Sequence, residues 1–209
     1  MEGVGVTWSA PQAEFANGRI RGAGLAGRCR AEVRDYRDMQ GEALFDKIAS
    51  VGMFEHVGAF RLADYFERAY RLLRPVGASL NHGIALNPSY PTPGGPSFSD
   101  HYIFPDGELL PLSTTLRAAE GAGFEVRDVE SLREHYVLTL GHWAKRLEAR
   151  ADEARRVVGE TTYRIWRLYL SGAAHTFAVG KNSVYQTLLS RPDDGRSGLP
   201  LSREDWYRR

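Results

Sequence analysis

A single cysteine, Cys29, stands in the 209-residue chain. No internal disulfide framework is available, and a reducing compartment such as the cytosol fits. Charge of one sign is lacking too. Lys and Arg number 27 against 26 Asp and Glu, a formal net charge of +1, so no global field gathers nucleic acid or an acidic partner. No apolar run approaches the roughly 20 residues that span a bilayer, and the first residues carry no signal-peptide pattern. Peripheral membrane contact stays open. There is no internal repeat. What is there, 43% hydrophobic and 25% charged residues, is the make-up of an ordinary globular domain.

The most informative stretch is FDKIASVGMFEHVG, Phe45 to Gly58. An apolar strand meets Gly52, and Glu55 and His56 follow between bulky apolar neighbours. A carboxylate and an imidazole are thereby delivered to the carboxyl end of a strand, where ligands bind in open α/β sheets. Upstream, Gly3 to Ser9 reads as a strand, with Ser9 capping a helix that has Pro11 in its first turn and carries Phe15 and Ile20. Cys29 to Tyr36 alternates as a strand, and Lys47 to Met53 is continuous enough to expect burial on both faces. Phe60 to Leu73 has helical period and stops at Pro75, and Ala78 to Ala85 is the next strand. This alternation predicts a parallel α/β sheet.

Asn87 to Pro111 interrupts the pattern with six prolines and four aromatics, which predicts a lid or binding loop without regular elements. Ser113 is expected to cap a helix through Ala119, Phe124 to Leu132 to form a strand, and two helices to span about 135–150 and 152–177. The strand Val184 to Ser190 closes the sheet, and the charged, Gly- and Pro-containing residues 192–209 read as a disordered tail. The stripe Tyr163, Trp166, Leu170, Ala173, Phe177 reads as core, with an acyl-chain tunnel as the sharper alternative.

Several segments together resemble the cyclopropane-fatty-acyl-phospholipid synthase family, which includes the mycolic acid cyclopropane synthases. They are GVTWSAPQ (5–12), RDYRD (34–38), FDKIASVGMFEHVG, YFERAYRLLRPVG (65–77), LNHGIA (80–85), YIFPDGELLP (102–111), the run from Ala122 to Leu147, and YRIWRLYLSGAAHTF (163–177). The resemblance implies a Rossmann-like class I methyltransferase sheet with helices on both faces. It implies S-adenosylmethionine-dependent transfer of a methylene or methyl group to the cis double bond of an unsaturated phospholipid acyl chain. A carbocation would be deprotonated by bound bicarbonate. By motif, the bicarbonate ligands would be Glu55, His82, the Ile84 backbone and Tyr136. Thr7, Trp8, Ser9 and Gln12 would lie near the ribose and amino-acid part of the cofactor, and Asp35, Tyr36 and Arg37 around its adenine. No metal is implied. Such an enzyme would sit in the cytoplasm at the inner face of the membrane, with room for a homodimer and no nucleic-acid partner.

Departures accompany the likeness. Ala173 replaces a cysteine, Arg34 a common glutamine, and NHGIA the usual HTIG pattern. Relatives also carry a helical N-terminal region and a first strand with a GCGWG loop, placed between the strands at Gly3–Ser9 and Lys47–Met53. Without them, residues 1–191 are expected to be the later part of a catalytic domain, with an acyl-binding insertion at about 87–111. Cofactor binding is then weak and stability marginal, because buried strand edges lose ladder partners. A non-catalytic partner, or a methyltransferase of small molecules, is the alternative reading.

Overall fold

The computed structural model describes residues 1–90 and 95–208. The chain forms two compact units, Met1–Glu42 and Ala43–Arg209. In the first, β1 (Gly3–Thr7) and β2 (Cys29–Val33) pair in parallel, from Gly3↔Cys29 to Thr7↔Val33, around the crossover helix α1 (Ala10–Gly22). The Ser9 side chain accepts from the Gln12 amide and Pro11 lies in the first turn, as the sequence predicts. Asn17 does what no periodicity shows. Its amide donates to the Ala31 carbonyl at 2.8 Å and accepts from the Ala31 N–H at 2.9 Å, so a helix side chain serves β2 as a strand partner would. Phe15, carried by α1, is exposed, and the buried residue of that helix is Ala13.

The second unit holds β3 (Phe45–Val51), α2 (Leu62–Leu72), β4 (Leu73–Leu86), α3 (Phe98–Tyr102), α4 (Leu112–Gly121), β5 (Glu125–Ser131), α5 (Arg133–Ala149), α6 (Ala151–Ala178) and β6 (Asn182–Ser190). The sheet order is β3-β4-β6-β5, with β3 and β4 parallel and β6 antiparallel to both of its neighbours. Thus the sheet is mixed, and the last strand enters between β4 and β5 instead of closing an edge. Sequence alternation reports strands, not their order. β3 is an edge of this sheet, so its expected two-faced burial does not hold and Val51 is exposed.

Neighbouring residues of a strand point to opposite faces. Asn81 of β4 receives the Tyr65 hydroxyl of α2 at 3.0 Å, and the ring of His82 lies 6.3 Å from that of Tyr136 on α5. Helices therefore cover both faces. On the α2 side Phe66 is buried edge-on against Tyr65 and Phe124, centroids 4.9 and 6.3 Å away. Opposite it, Leu140, Leu170, Phe177 and Val184 form a core against which Ala173 packs. The α6 stripe is core at Tyr163, Leu170 and Phe177, whereas Trp166 is substantially exposed.

Other boundaries move. Helix α4 starts at Leu112 after Pro111, so Ser113 lies inside its first turn and caps nothing. The segment expected to be irregular contains α3, whose capping box joins Ser97 and Asp100; residues 91–94 of that segment lie outside those described. Helix α6 is broken at Gly159 (φ 80°, ψ 165°), and Arg155 bridges the break by pairing with Asp152 and Glu160. Within residues 192–208, expected to be a disordered tail, Gly198 lies against Val76 and Arg203 against β5. Arg203 pairs with Asp128 and, at 3.7 Å, with Glu130. Asp128 is nearly enclosed there, and a carboxylate so placed needs a cation.

Between α2 and β4 the chain turns without a loop. The guanidinium of Arg191 donates to the carbonyls of Tyr70, Arg71 and Leu73 and lies 4.8 Å over the Tyr70 ring. Val76 sits in the irregular stretch of β4, where its register against β3 jumps from Leu73 to Ala78, and takes a φ of +57°, a left-handed conformation that a β-branched residue strongly disfavours. Val76→Gly is expected to raise stability by about 1 kcal/mol, the relieved strain exceeding the added chain entropy. Urea unfolding of both proteins measures it.

Candidate active site

Strand β3 stops because Gly52, at φ +62°, turns the chain off the sheet after its N–H has bonded the His82 carbonyl. One turn of 3-10 helix, Phe54–His56, follows. The next N–H along β4 on that side, Ile84, has lost its strand partner. Glu55 takes the place: its Oε1 accepts from the Ile84 N–H at 2.8 Å. Its backbone carbonyl accepts from the Glu108 N–H at 2.8 Å, and Glu108 Oε2 in turn accepts from the Ala59 N–H at 2.8 Å. Glu55 is thus held from both sides, buried, with Oε2 enclosed and lacking a hydrogen-bond donor.

Tyr136 stands opposite. Its ring packs on Phe177 (5.2 Å) and Trp143 (6.4 Å), with His82 at 6.3 Å. Burial, and then the negative charge of Glu55, hold its phenol above the ordinary tyrosine range. Tyr169 is raised likewise, by burial and then by Tyr136. The structure therefore brings Glu55, His82, Ile84 and Tyr136 together. A buried carboxylate oxygen without a donor, facing a neutral phenol, fits a small ligand that can donate to one and accept from the other, as bicarbonate can. The Ile84 amide fits that role less well than the sequence suggests, because its one proton is spent on Glu55. Sequence reasoning also missed Glu108, whose neighbours in the chain give no sign that its backbone and carboxylate brace the Glu55 turn. His56 meets the Phe104 ring at 6.0 Å, in keeping with a structural part.

The residues expected around the cofactor gather within the first unit, at the carboxyl ends of β1 and β2. Thr7 Oγ1 donates to Gln12 Oε1 at 2.9 Å and accepts from the Ser9 N–H at 3.2 Å. Trp8 is exposed, though its indole helps, as the smallest of the causes, to hold the Asp35 carboxyl low. Asp35 caps the turn Tyr36–Asp38 by accepting from the Arg37 N–H at 2.8 Å, and its other oxygen takes the Arg37 guanidinium at 2.8 and 2.5 Å. The Arg37 side chain is the main reason its carboxyl lies below the ordinary range, with burial opposing. A lowered native value means that the stabilisation is present above the unfolded carboxylate range and lost as pH falls through the native one. Asp35→Asn is therefore expected to flatten the loss of stability below about pH 4, as thermal melts over an acid series would show.

A mixed sheet with helices on both faces and ligand-competent side chains at the carboxyl strand ends is the Rossmann-like architecture of class I, S-adenosylmethionine-dependent methyltransferases. The solved cyclopropane synthase MmaA2 from Mycobacterium tuberculosis superimposes with a TM-score of 0.82 at 29% identity, covering 89% of this chain and 68% of that one. Mycolic acid cyclopropane synthase CmaA1, complexed with SAH and CTAB, gives 0.81 at 29% identity over the same shares. The family described as mycolic acid cyclopropane synthetase matches residues 1–187, and the chain belongs to it. A probable fatty acid methyltransferase of Pseudomonas putida is 43% identical over 208 residues, 98% of this chain and 53% of that protein. The chain spans about half the length of the curated relatives it matches.

Proposed function

We propose that the protein acts in S-adenosylmethionine-dependent transfer of a methylene or methyl group to the cis double bond of an unsaturated phospholipid acyl chain. The observation that carries this reading is the buried Glu55 carboxylate, with one oxygen fixed on Ile84 and the other without a donor, beside Tyr136 and His82. Thr7, Trp8, Ser9, Gln12, Asp35, Tyr36 and Arg37 would hold the cofactor, which when bound supplies an electrophilic methyl group. Glu55, His82 and Tyr136 would hold bicarbonate, which when bound supplies a base. An alkene that accepts a methyl cation leaves a positive charge on carbon, and the fixed negative charge of Glu55 stabilises it in a site shielded from water. The face of Tyr136 adds cation–π attraction. Among the described residues no helix is long and apolar enough to cross a membrane; the acyl chain would be reached by peripheral contact, for which exposed Leu138, Trp143 and Trp166 offer apolar surface.

The test is incubation of purified protein with methyl-labelled S-adenosylmethionine and dioleoyl-phospholipid vesicles. Label in the released fatty acid supports the reading. Label confined to the head group, or none in lipid, contradicts it.

A further inference from the structure

The Glu55 turn needs more than its hydrogen bonds, and the sheet provides it at one residue. Gly83 of β4 lies between His82 and Ile84, and alternation points its missing side chain to the face away from Tyr136. The buried ring of Phe54, the residue before Glu55, occupies that place. A Cβ at Gly83 would fall 2.5 Å from Phe54 Cδ1 and 2.9 Å from Cζ, and closer still to Cε1. Real carbon contacts begin near 3.5 Å, and a buried aromatic ring has no flexible end that can step aside.

We infer that Gly83 is a positioning residue: its bare backbone is the seat for the Phe54 ring, and that seat sets where the Glu55 carboxylate meets Ile84 and Tyr136. The inference rests on the function proposed above for its consequence in catalysis, though not for its geometry. Phe54 and Glu55 share one tight turn, so a ring pushed off β4 carries the carboxylate with it. Ile84, whose N–H holds Glu55, is the next residue of the same strand. Hence the ring and the carboxylate grip adjacent residues of β4, the ring on its face and the carboxylate at its edge toward β3. The other two supports, through Glu108, hold only backbone groups of the turn and leave the carboxylate free to swing. In this chain NHGIA puts glycine where the usual HTIG pattern has threonine, and the Phe54 ring takes the room that side chain would fill.

Three variants test it with two readouts, methyl transfer to oleoyl phospholipid and the titration of Tyr136 followed by NMR of ring-labelled tyrosine, assigned with Tyr136→Phe. The groups facing Tyr136 are Glu55, His82 and Tyr169. Glu55→Gln removes the charge and should lower the Tyr136 titration, setting the size of the full effect; no change overturns the coupling on which the inference depends. Gly83→Ala should lower the titration in the same direction and reduce transfer about 10²-fold, the scale of an ångström-sized misplacement. Phe54→Leu combined with Gly83→Ala makes room for the methyl and should recover most of both. Wild-type titration in Gly83→Ala, or a double variant no better than the single, overturns the inference. Should Gly83→Ala not fold, a folded double variant with the wild-type titration supports it, and an unfolded or shifted double variant overturns it. Because the titration requires no turnover, a wild type that methylates no lipid would sink the proposed function and leave this test intact.

Discussion

Replacing Glu55 by Gln is expected to slow lipid methylation by about 10²–10³-fold, the scale of losing one preorganised electrostatic group in a shielded site, while the fold stays intact. The glutamine carbonyl oxygen can still accept from the Ile84 N–H, so the bond at 2.8 Å survives. What goes is the negative charge beside the place where carbon becomes positive. The amide also presents a donor where Oε2 now has none, which reverses its match to a small anion. Initial rates with labelled cofactor, set beside unchanged thermal melts, measure the effect. A variant retaining more than half the wild-type rate would remove Glu55 from the chemistry.

Phe66→Ala is expected to be the most damaging core substitution, costing about 3–5 kcal/mol. Phe66, on α2, is 1% exposed and meets the rings of Tyr65 and of Phe124, the residue before β5, edge-on. Those partners are anchored elsewhere, Tyr65 through Asn81 and Phe124 against Tyr70, so they do not collapse into the gap. Against a typical total of about 5–15 kcal/mol, such a loss leaves little folded protein at physiological temperature. Urea denaturation of the variant shows it directly; a cost near 1 kcal/mol would mean that the α2 face repacks.

Where the sequence was legible, it was legible for local reasons. Ser9, Pro11 and the apolar periods place α1, α2, α5 and α6 within a few residues, because caps and periodicity act within one or two turns. The Glu55, His82 and Tyr136 grouping was legible through motifs, not geometry: 53 residues of unrelated pattern lie between His82 and Tyr136, and nothing local says that their rings meet. The antiparallel place of β6 between β4 and β5 was hidden for the same reason, since Val184 to Ser190 would look identical at an edge. Exposure went astray wherever a residue's neighbours come from afar. Val51 lies in an apolar run that suggests burial, but among the described residues β3 pairs with β4 alone and Val51 is exposed; the Arg203–Asp128 pair joins positions 75 residues apart, which no local pattern in the tail announces. Gly83 was visible only as an oddity until the Phe54 ring was seen to fill its missing side chain.

The central claim is that the Glu55 carboxylate, set by the turn after β3, serves methyl transfer to an acyl double bond. Mass spectrometry of membrane lipids from matched cells producing the wild type or Glu55→Gln tests it most directly. The account predicts a gain of one CH2 unit on unsaturated chains in the wild type alone. Equal gains in both, or a gain in neither, would contradict it.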